Sequence, residues 1–347
     1  MVRHFIFWAC FALSLFGTAQ ACGFHNYAPR PSMVEQLLSS DHILLARQSE
    51  TNPFRYTPVQ ALKGPIDGVE LPQLVDSVTR RKLAVSESDS VLFFLDPETG
   101  NWKRLAYVDS AMHPIVDEIM QNHSSWRLGG DFERFQLFAD MIDHPNRQVR
   151  NLALRELDQA DYSVLRELSF SLNVKGIISD IGPVQERELE PIRVLLLGLS
   201  TQDTAQSFVK QGLNHNRRAT GPVFGAYATA FVEAGKKDAV TNLVETYLDD
   251  PSLSMTNREL LIEALALHRL SGDLSLGMEI LSALEHALAR NPELAPAAAR
   301  QFGARHDWAL RHVLSGALHS GVPLSEADVR DVMDYLAIAG QSIDPLQ

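Results

Sequence analysis

The apolar positions of this chain repeat with two different periods, and the change comes near residue 125. Ahead of it they form short runs or alternate, as strands do. Beyond it they recur every three or four residues, as on helices. His42 to Arg47 (HILLAR) predicts a buried strand. Phe54 to Lys63 is a second extended run, with Phe54, Tyr56 and Pro58 on one face. Pro58 has no N–H for a ladder, which places that strand at an edge or a bulge. Val69 to Val75 is a third candidate. Val91 to Leu95 (VLFFL), apolar on both faces, is the strongest. Asp96-Pro97-Glu98-Thr99-Gly100 then turns the chain into Trp102–Val108, which makes a hairpin. About five strands in some 70 residues predict a small antiparallel barrel or sandwich. Ahead of them, Ser32 and Glu35 have capping-box spacing and start a short helix.

From Asp131 onward the spacing is helical. Phe132, Phe135, Phe138 and Ile142 make one stripe, and Val149, Leu152, Ala153 and Leu157 the next. The tight turn Asp143-His144-Pro145-Asn146 between them predicts an antiparallel pair. Further helices are predicted over roughly 161–172, 188–199, 203–213, 220–234, 236–248, 257–271, 274–290, 293–303, 307–319 and 326–339. Thr256 with Glu259, and Ser325 with Asp328, read as capping-box starts. Gly235, Gly272 and Asn291-Pro292 read as stops. The expected fold is therefore α+β and mostly α. A small antiparallel β barrel or sandwich over 22–125 precedes a right-handed α-solenoid of antiparallel helix pairs over 126–347.

Two resemblances accompany this pattern. His144 to Leu157, with Pro145 in the turn, Val149-Arg150 and then Ala153-Leu154 and Leu157, resembles one HEAT-type repeat. The later helices do not keep that period, so the resemblance implies a helical-repeat architecture without fixing the repeat type. The strand-rich part is similar to a netrin-type domain. It shares an N-terminal cysteine (Cys22), a strand after a short helix, Phe54-Arg55-Tyr56 leading to Leu62-Lys63-Gly64, and Val91–Leu95 before a hairpin. That resemblance implies an OB-like barrel. Inhibitory members of the family use the terminal cysteine to reach a partner's zinc, but this chain lacks their other cysteines.

Composition changes the picture most at the N-terminus. Arg3, the uncharged apolar run Phe5–Phe16 and Ala19-Gln20-Ala21 form the three parts of a cleavable secretion signal over residues 1–21. The run is too short to span a bilayer as a helix. Cleavage would leave Cys22 as residue one and remove Cys10, the other cysteine. Two outcomes stay open: ordinary cleavage with a free thiol, or lipoprotein processing with Cys22 acylated as a lipid anchor. Against the second, Ala19 stands where lipoproteins carry Leu, and Gln20 is bulky. The signal's length suits bacterial export, to the periplasm or cell surface.

The formal charge is −12. That balance disfavours nucleic acid and anionic membrane surfaces, which call for basic patches. Arg80-Arg81-Lys82, Arg217-Arg218 and Lys236-Lys237 are short, scattered and read as solvated loops.

Candidate chemistry gathers at the new terminus. The α-amine, the Cys22 thiolate and the His25 imidazole lie within four residues, and this donor set suits Cu or Zn. A further ligand is unassigned, with His42 and His113 as candidates to approach. Acylation of Cys22 would abolish the site. A terminal cysteine also suits an N-terminal nucleophile hydrolase, but the layered α/β fold of such enzymes is not predicted here. His312 and His319 share a helix face two turns apart and read as surface residues. The chain contains no His-Glu-x-x-His, Gly-x-Ser-x-Gly, Walker or Gly-x-Gly-x-x-Gly motif. The leading expectation is a non-enzymatic exported protein whose helical surface binds a protein or peptide partner. Metal handling through Cys22 and His25 is the alternative.

Overall fold

The computed structural model describes residues 29–182, 184–219 and 221–341. The expected signal segment, Cys22 and His25 all lie outside the described residues.

Four strands form one antiparallel sheet: β1 (Ile43–Gln48), β2 (Tyr56–Lys63), β3 (Ser90–Leu95) and β4 (Trp102–Val108), ordered β2-β1-β3-β4. The sheet is open, with β2 and β4 at its edges, and does not close into the expected barrel. One of the five expected strands is missing. Val69–Val75 contains Pro72, which cannot donate to a ladder. That segment instead crosses the sheet with Leu71 and Val75 buried, touching β structure at one bridge, Leu74 to Arg55. Both edges are blunted, which is how open sheets avoid pairing with strangers. β2 carries Pro58 and register shifts against β1. On β4, side-chain amides of Gln73 and Gln148 donate to the carbonyls of Trp102 and Tyr107.

Two helices also stand where strand signals dominate: α2 (Ser77–Val85) and, ahead of residue 125, α3 (His113–Arg127). Alternation on the strands explains their packing, because successive side chains point to opposite faces. Ile43, Leu45, Leu92 and Phe94 face the helical body and join its core. Leu44, Ala46, Val91 and Phe93 face the other way, into a small core closed by Tyr56, Leu71, Val75 and Leu83 of α2. The sheet is thus a layer between α2 and the helical body. The capping box at Ser32 starts α1 (Met33–Ser39) as its spacing predicts, with Glu35 returning a bond to the Ser32 N–H.

The helical body comprises α4 (Asp131–Ala139), α5 (Arg147–Leu157), α6 (Tyr162–Glu167), α7 (Val174–Ser179), α8 (Glu190–Gly198) and α9 (Asp203–His215). It continues through α10 (Pro222–Leu243), α11 (Met255–Arg269), α12 (Leu274–Arg290), α13 (Ala295–Gly303), α14 (Arg311–Ala317) and α15 (Glu326–Gln341). The chain is therefore α+β and mostly α. α6 is shorter than its predicted span. The cap of α11 is Ser254, whose hydroxyl accepts from the Asn257 N–H, and not Thr256.

α10 is broken at Lys236, with φ 49° and ψ −127°, so it behaves as two helices. This matches the stop read at Gly235. One row of helices then runs α8, first half of α10, α11, α13, α15, each packed on the next. Four of its members carry continuous buried stretches, Pro191–Gly198, Phe224–Ala230, Leu260–Ala266 and Ala295–Ala299, while α15 at its end buries only Val332, Tyr335 and Ala339. α9, α12 and α14 pack against this row and bury one stripe each, such as Ala205, Val209 and Leu213 on α9. A helix apolar on every side belongs inside, and an amphipathic one outside.

Candidate functional site

None of the residues named from the sequence assembles a site among the described residues. His42 adjoins the Leu95 end of β3, since its carbonyl accepts from the Leu95 N–H at 2.9 Å. The His113 ring lies 3.0 Å from the Ser88 carbonyl, past the Ser90 end of the same strand. A six-residue strand is roughly 17 Å long, so these two imidazoles cannot share one ion. No group of three or more His, Cys, Asp or Glu side chains among the described residues is arranged to hold a metal. His306, His312 and His319 are exposed, as read from the sequence.

The densest polar cluster joins α6, α10 and α11. Glu233 on α10 is its hub. Its Oε2 accepts from the Tyr162 hydroxyl at 3.0 Å and from Arg166 Nε at 2.8 Å, and lies 3.2 Å from His268 Nε2. Its Oε1 accepts from the Lys236 ammonium. His268 Nδ1 lies 2.8 Å from the Ala264 carbonyl, which can only accept, so Nδ1 carries a hydrogen. Tyr162 and His268 also meet edge to face, with ring centroids 5.4 Å apart. Burial alone would raise the Glu233 carboxyl. The hydrogen bonds from His268 and Lys236, with the charges of His268 and Arg166, outweigh it and hold the group well below the usual carboxylate range. Burial and the Glu233 charge push the Tyr162 hydroxyl well up, so it stays a donor.

A tyrosine, a histidine and a glutamate in contact have the composition of acid–base machinery. The His268 side chain, however, is fully buried, and every polar atom of the ring already has a neighbour in the protein. The donors and acceptors of the cluster are spent on one another across α6, α10 and α11, so this arrangement clamps helices. The strained backbone at Lys236 fits that role. A non-glycine residue at positive φ costs of order 1–3 kcal/mol and persists where its surroundings hold it. Here the Lys236 side chain is bound to the hub it adjoins.

The clamp also fixes a surface. Arg166 NH1 donates to the Ser271 carbonyl at 2.9 Å, which holds the turn between α11 and α12. Asp273 then caps α12, accepting from the Leu276 N–H at 3.0 Å. Leu270, Leu274 and Met278 follow one another at intervals of four around this turn, and all three are exposed. Leu274 is 78% and Met278 67% exposed. α12 already buries Leu276, Ile280, Leu284 and Leu288 on its inner side. Its first turns therefore carry apolar residues on both sides. Leaving a leucine or methionine in water forgoes roughly 1.5–3 kcal/mol each, and clustered exposure of this kind marks binding surfaces. The sequence does hold the signal: Leu274 and Met278 fall off the 276/280/284/288 stripe.

No known protein family, curated protein or solved structure matches the chain.

Proposed function

We propose that the chain is an exported, non-enzymatic binding protein whose helical array presents an apolar surface to a protein or peptide partner. The observation that carries this reading is the exposed series Leu270, Leu274 and Met278, set on a turn that Arg166 and Asp273 hold in place. The finer architecture belongs to the same reading: α8/α9, the two halves of α10, α11/α12 and α13/α14 as successive antiparallel pairs of a right-handed solenoid. Support comes from the row of helices with continuous buried stretches, α8, α10, α11 and α13, flanked by amphipathic ones, since repeat arrays bury a continuous core between stacked units.

A photo-crosslinking residue at Met278, in protein produced in its own host, tests the surface. Capture of one partner from that position, lost in Leu274→Asp, supports the reading. A crosslink pattern unchanged by Leu274→Asp, or a partner caught equally from exposed Glu285, overturns it. Export and the fate of Cys22 are read from the intact mass of the same protein. An N-terminus at Cys22 supports export, and added acyl mass would make the partner surface membrane-tethered and remove the Cys22–His25 metal reading.

A further inference from the structure

The run Arg80-Arg81-Lys82 lies in α2, not in a solvated loop, and α2 forms the outermost layer over the sheet. The helix is pinned at both ends. Asp76 caps it, accepting from the Val78 and Thr79 N–H groups at 3.0 and 2.9 Å, and is tied to Arg104 of β4 at 2.8 Å. At the other end Arg47 of β1 donates to the carbonyls of Leu83 and Ser86 at 2.9 and 3.1 Å. Thr79 and Leu83 face inward and are buried.

At 100° per residue, Val78, Arg81, Lys82 and Val85 fall within one arc of about 100° on the opposite side. All four are exposed, Val85 at 90% and Val78 at 53%. Leu74 and Phe54 add further exposed apolar side chains beside the helix start, with the Arg80 guanidinium 4.7 Å from the Phe54 ring centroid. No carboxylate among the described residues pairs with Arg55, Arg80, Arg81 or Lys82. In a chain of net charge −12, α2 carries three cations and no acid, and two of them, Arg81 and Lys82, lie on this face, the Lys82 ammonium 4.8 Å from the Tyr107 ring centroid.

We propose that the outward face of α2 docks on an anionic phospholipid surface. Charge complementarity selects an anionic occupant, and shape selects a lipid surface over an acidic peptide. The face is one side of a nine-residue helix, and the β2 edge, where a peptide strand would add, carries Pro58 and irregular register. Exposed valines in line with two cations suit a shallow interfacial contact, in which the cations meet headgroup phosphates and the apolar groups enter between them.

Hydrogen–deuterium exchange of the full chain on vesicles reads this face locally, independent of any other contact the chain makes with lipid. The probes are vesicles of phosphatidylglycerol with phosphatidylcholine, and of phosphatidylcholine alone. Slowed exchange across residues 77–85 on the anionic vesicles only, reversed by 0.5 M salt in about the measure expected for a Debye length near 4 Å, is the expected result. Arg81→Glu/Lys82→Glu should weaken this protection roughly tenfold or more in lipid concentration, and the exposed Val85→Asn should weaken it less. Exchange unchanged on anionic vesicles, or slowed equally on neutral ones, overturns the proposal. Protection of 77–85 by a glutamate-rich peptide but not by vesicles overturns it in favour of an acidic protein partner.

Discussion

Replacing Gly198 by alanine should destabilise the protein, although the same change elsewhere on a helix should stabilise it. Gly198 closes α8 where that helix crosses α10. A Cβ there would lie 2.5 Å from Ala230 Cα, 2.6 Å from Ala230 Cβ and 3.1 Å from Ala230 O. Carbon atoms in contact sit about 3.5–4.0 Å apart, so the two backbones must part by roughly 1 Å. Two of the three obstructing atoms are backbone, which no rotamer change can move. Alanine gains about 1 kcal/mol over glycine in a helix interior. Overpacking costs about 1–3 kcal/mol. A gap of about 1 Å also forfeits up to half the dispersion energy along the contact, which here runs beside fully buried Ile192, Leu196, Phe224 and Ala226. The net expectation is a loss of about 2–3 kcal/mol. With a urea m-value of at least about 2 kcal/mol per molar, the unfolding midpoint falls by about 1 M at unchanged slope. Gly316 on α14 is the internal control. Nothing lies within 4 Å of its Cβ position, and Gly316→Ala should raise stability by about 0.5–1 kcal/mol. A midpoint that rises for both variants would refute the close approach of α8 and α10, and the buried row of helices with it.

Glu233→Gln removes the charge that faces Arg166 and His268 and should lower stability by about 2 kcal/mol at neutral pH, read as a shift in urea midpoint; an unchanged midpoint sinks the clamp. The wild-type protein should lose stability on acidification. The Glu233 and Glu186 carboxyls, the latter held down to about 2 by Arg193, Asn151 and Arg147 against its burial, are depressed in the fold. Their contribution is complete above the unfolded value near 4.3 and drains away as pH falls through the folded values, so thermal melts between pH 5 and 2 should show it. Arg134→Met leaves the fully buried Glu156 without its cation and should cost about 3–5 kcal/mol. Burial already pushes the Glu156 carboxyl up, so that loss should be smaller at pH 5 than at pH 8, and an equal loss at both would argue against the buried pair. Tyr162→Phe keeps the ring contact with His268 and deletes one bond to a charged acceptor; a loss of about 1.5–3 kcal/mol is expected, non-additive with Glu233→Gln in a double-mutant cycle.

The sequence is legible where one short segment decides the local structure. Ser32 with Glu35, the turn Asp96–Gly100 and the stop at Gly235 each act within a few residues, and each is found in place. The sequence is not legible where a neighbour distant along the chain decides. Val69–Val75 has the composition of a strand, but Pro72 denies it a ladder and the apolar sheet face takes Leu71 and Val75 instead. α2 has too few apolar residues to announce itself. Two buried side chains suffice because Arg47 and Arg104, brought from β1 and β4, fix its ends. The clamp was wholly illegible. Tyr162 and His268 each reach Glu233 across 71 and 35 residues, and no spacing rule links positions so far apart.

The proposed docking of α2 is compatible with the acidic balance of the chain, because net charge sums over distances that salt does not transmit. Near physiological ionic strength the Debye length is about 8 Å, while at 0.01 M it is about 30 Å. The sheet separates α2 from the helical body, and packed layers sit about 10 Å apart. At physiological salt the acids of the helical body therefore lie beyond one screening length from a surface touching α2, whereas Arg81 and Lys82 lie within it. At 0.01 M those acids come into range and the whole-chain charge of −12 opposes approach. At several hundred millimolar the cations themselves are screened. The two effects have opposite signs, so protection of α2 by anionic vesicles should pass through a maximum at intermediate salt. A simple basic tail, with no acidic body behind it, would instead weaken steadily from the lowest salt upward.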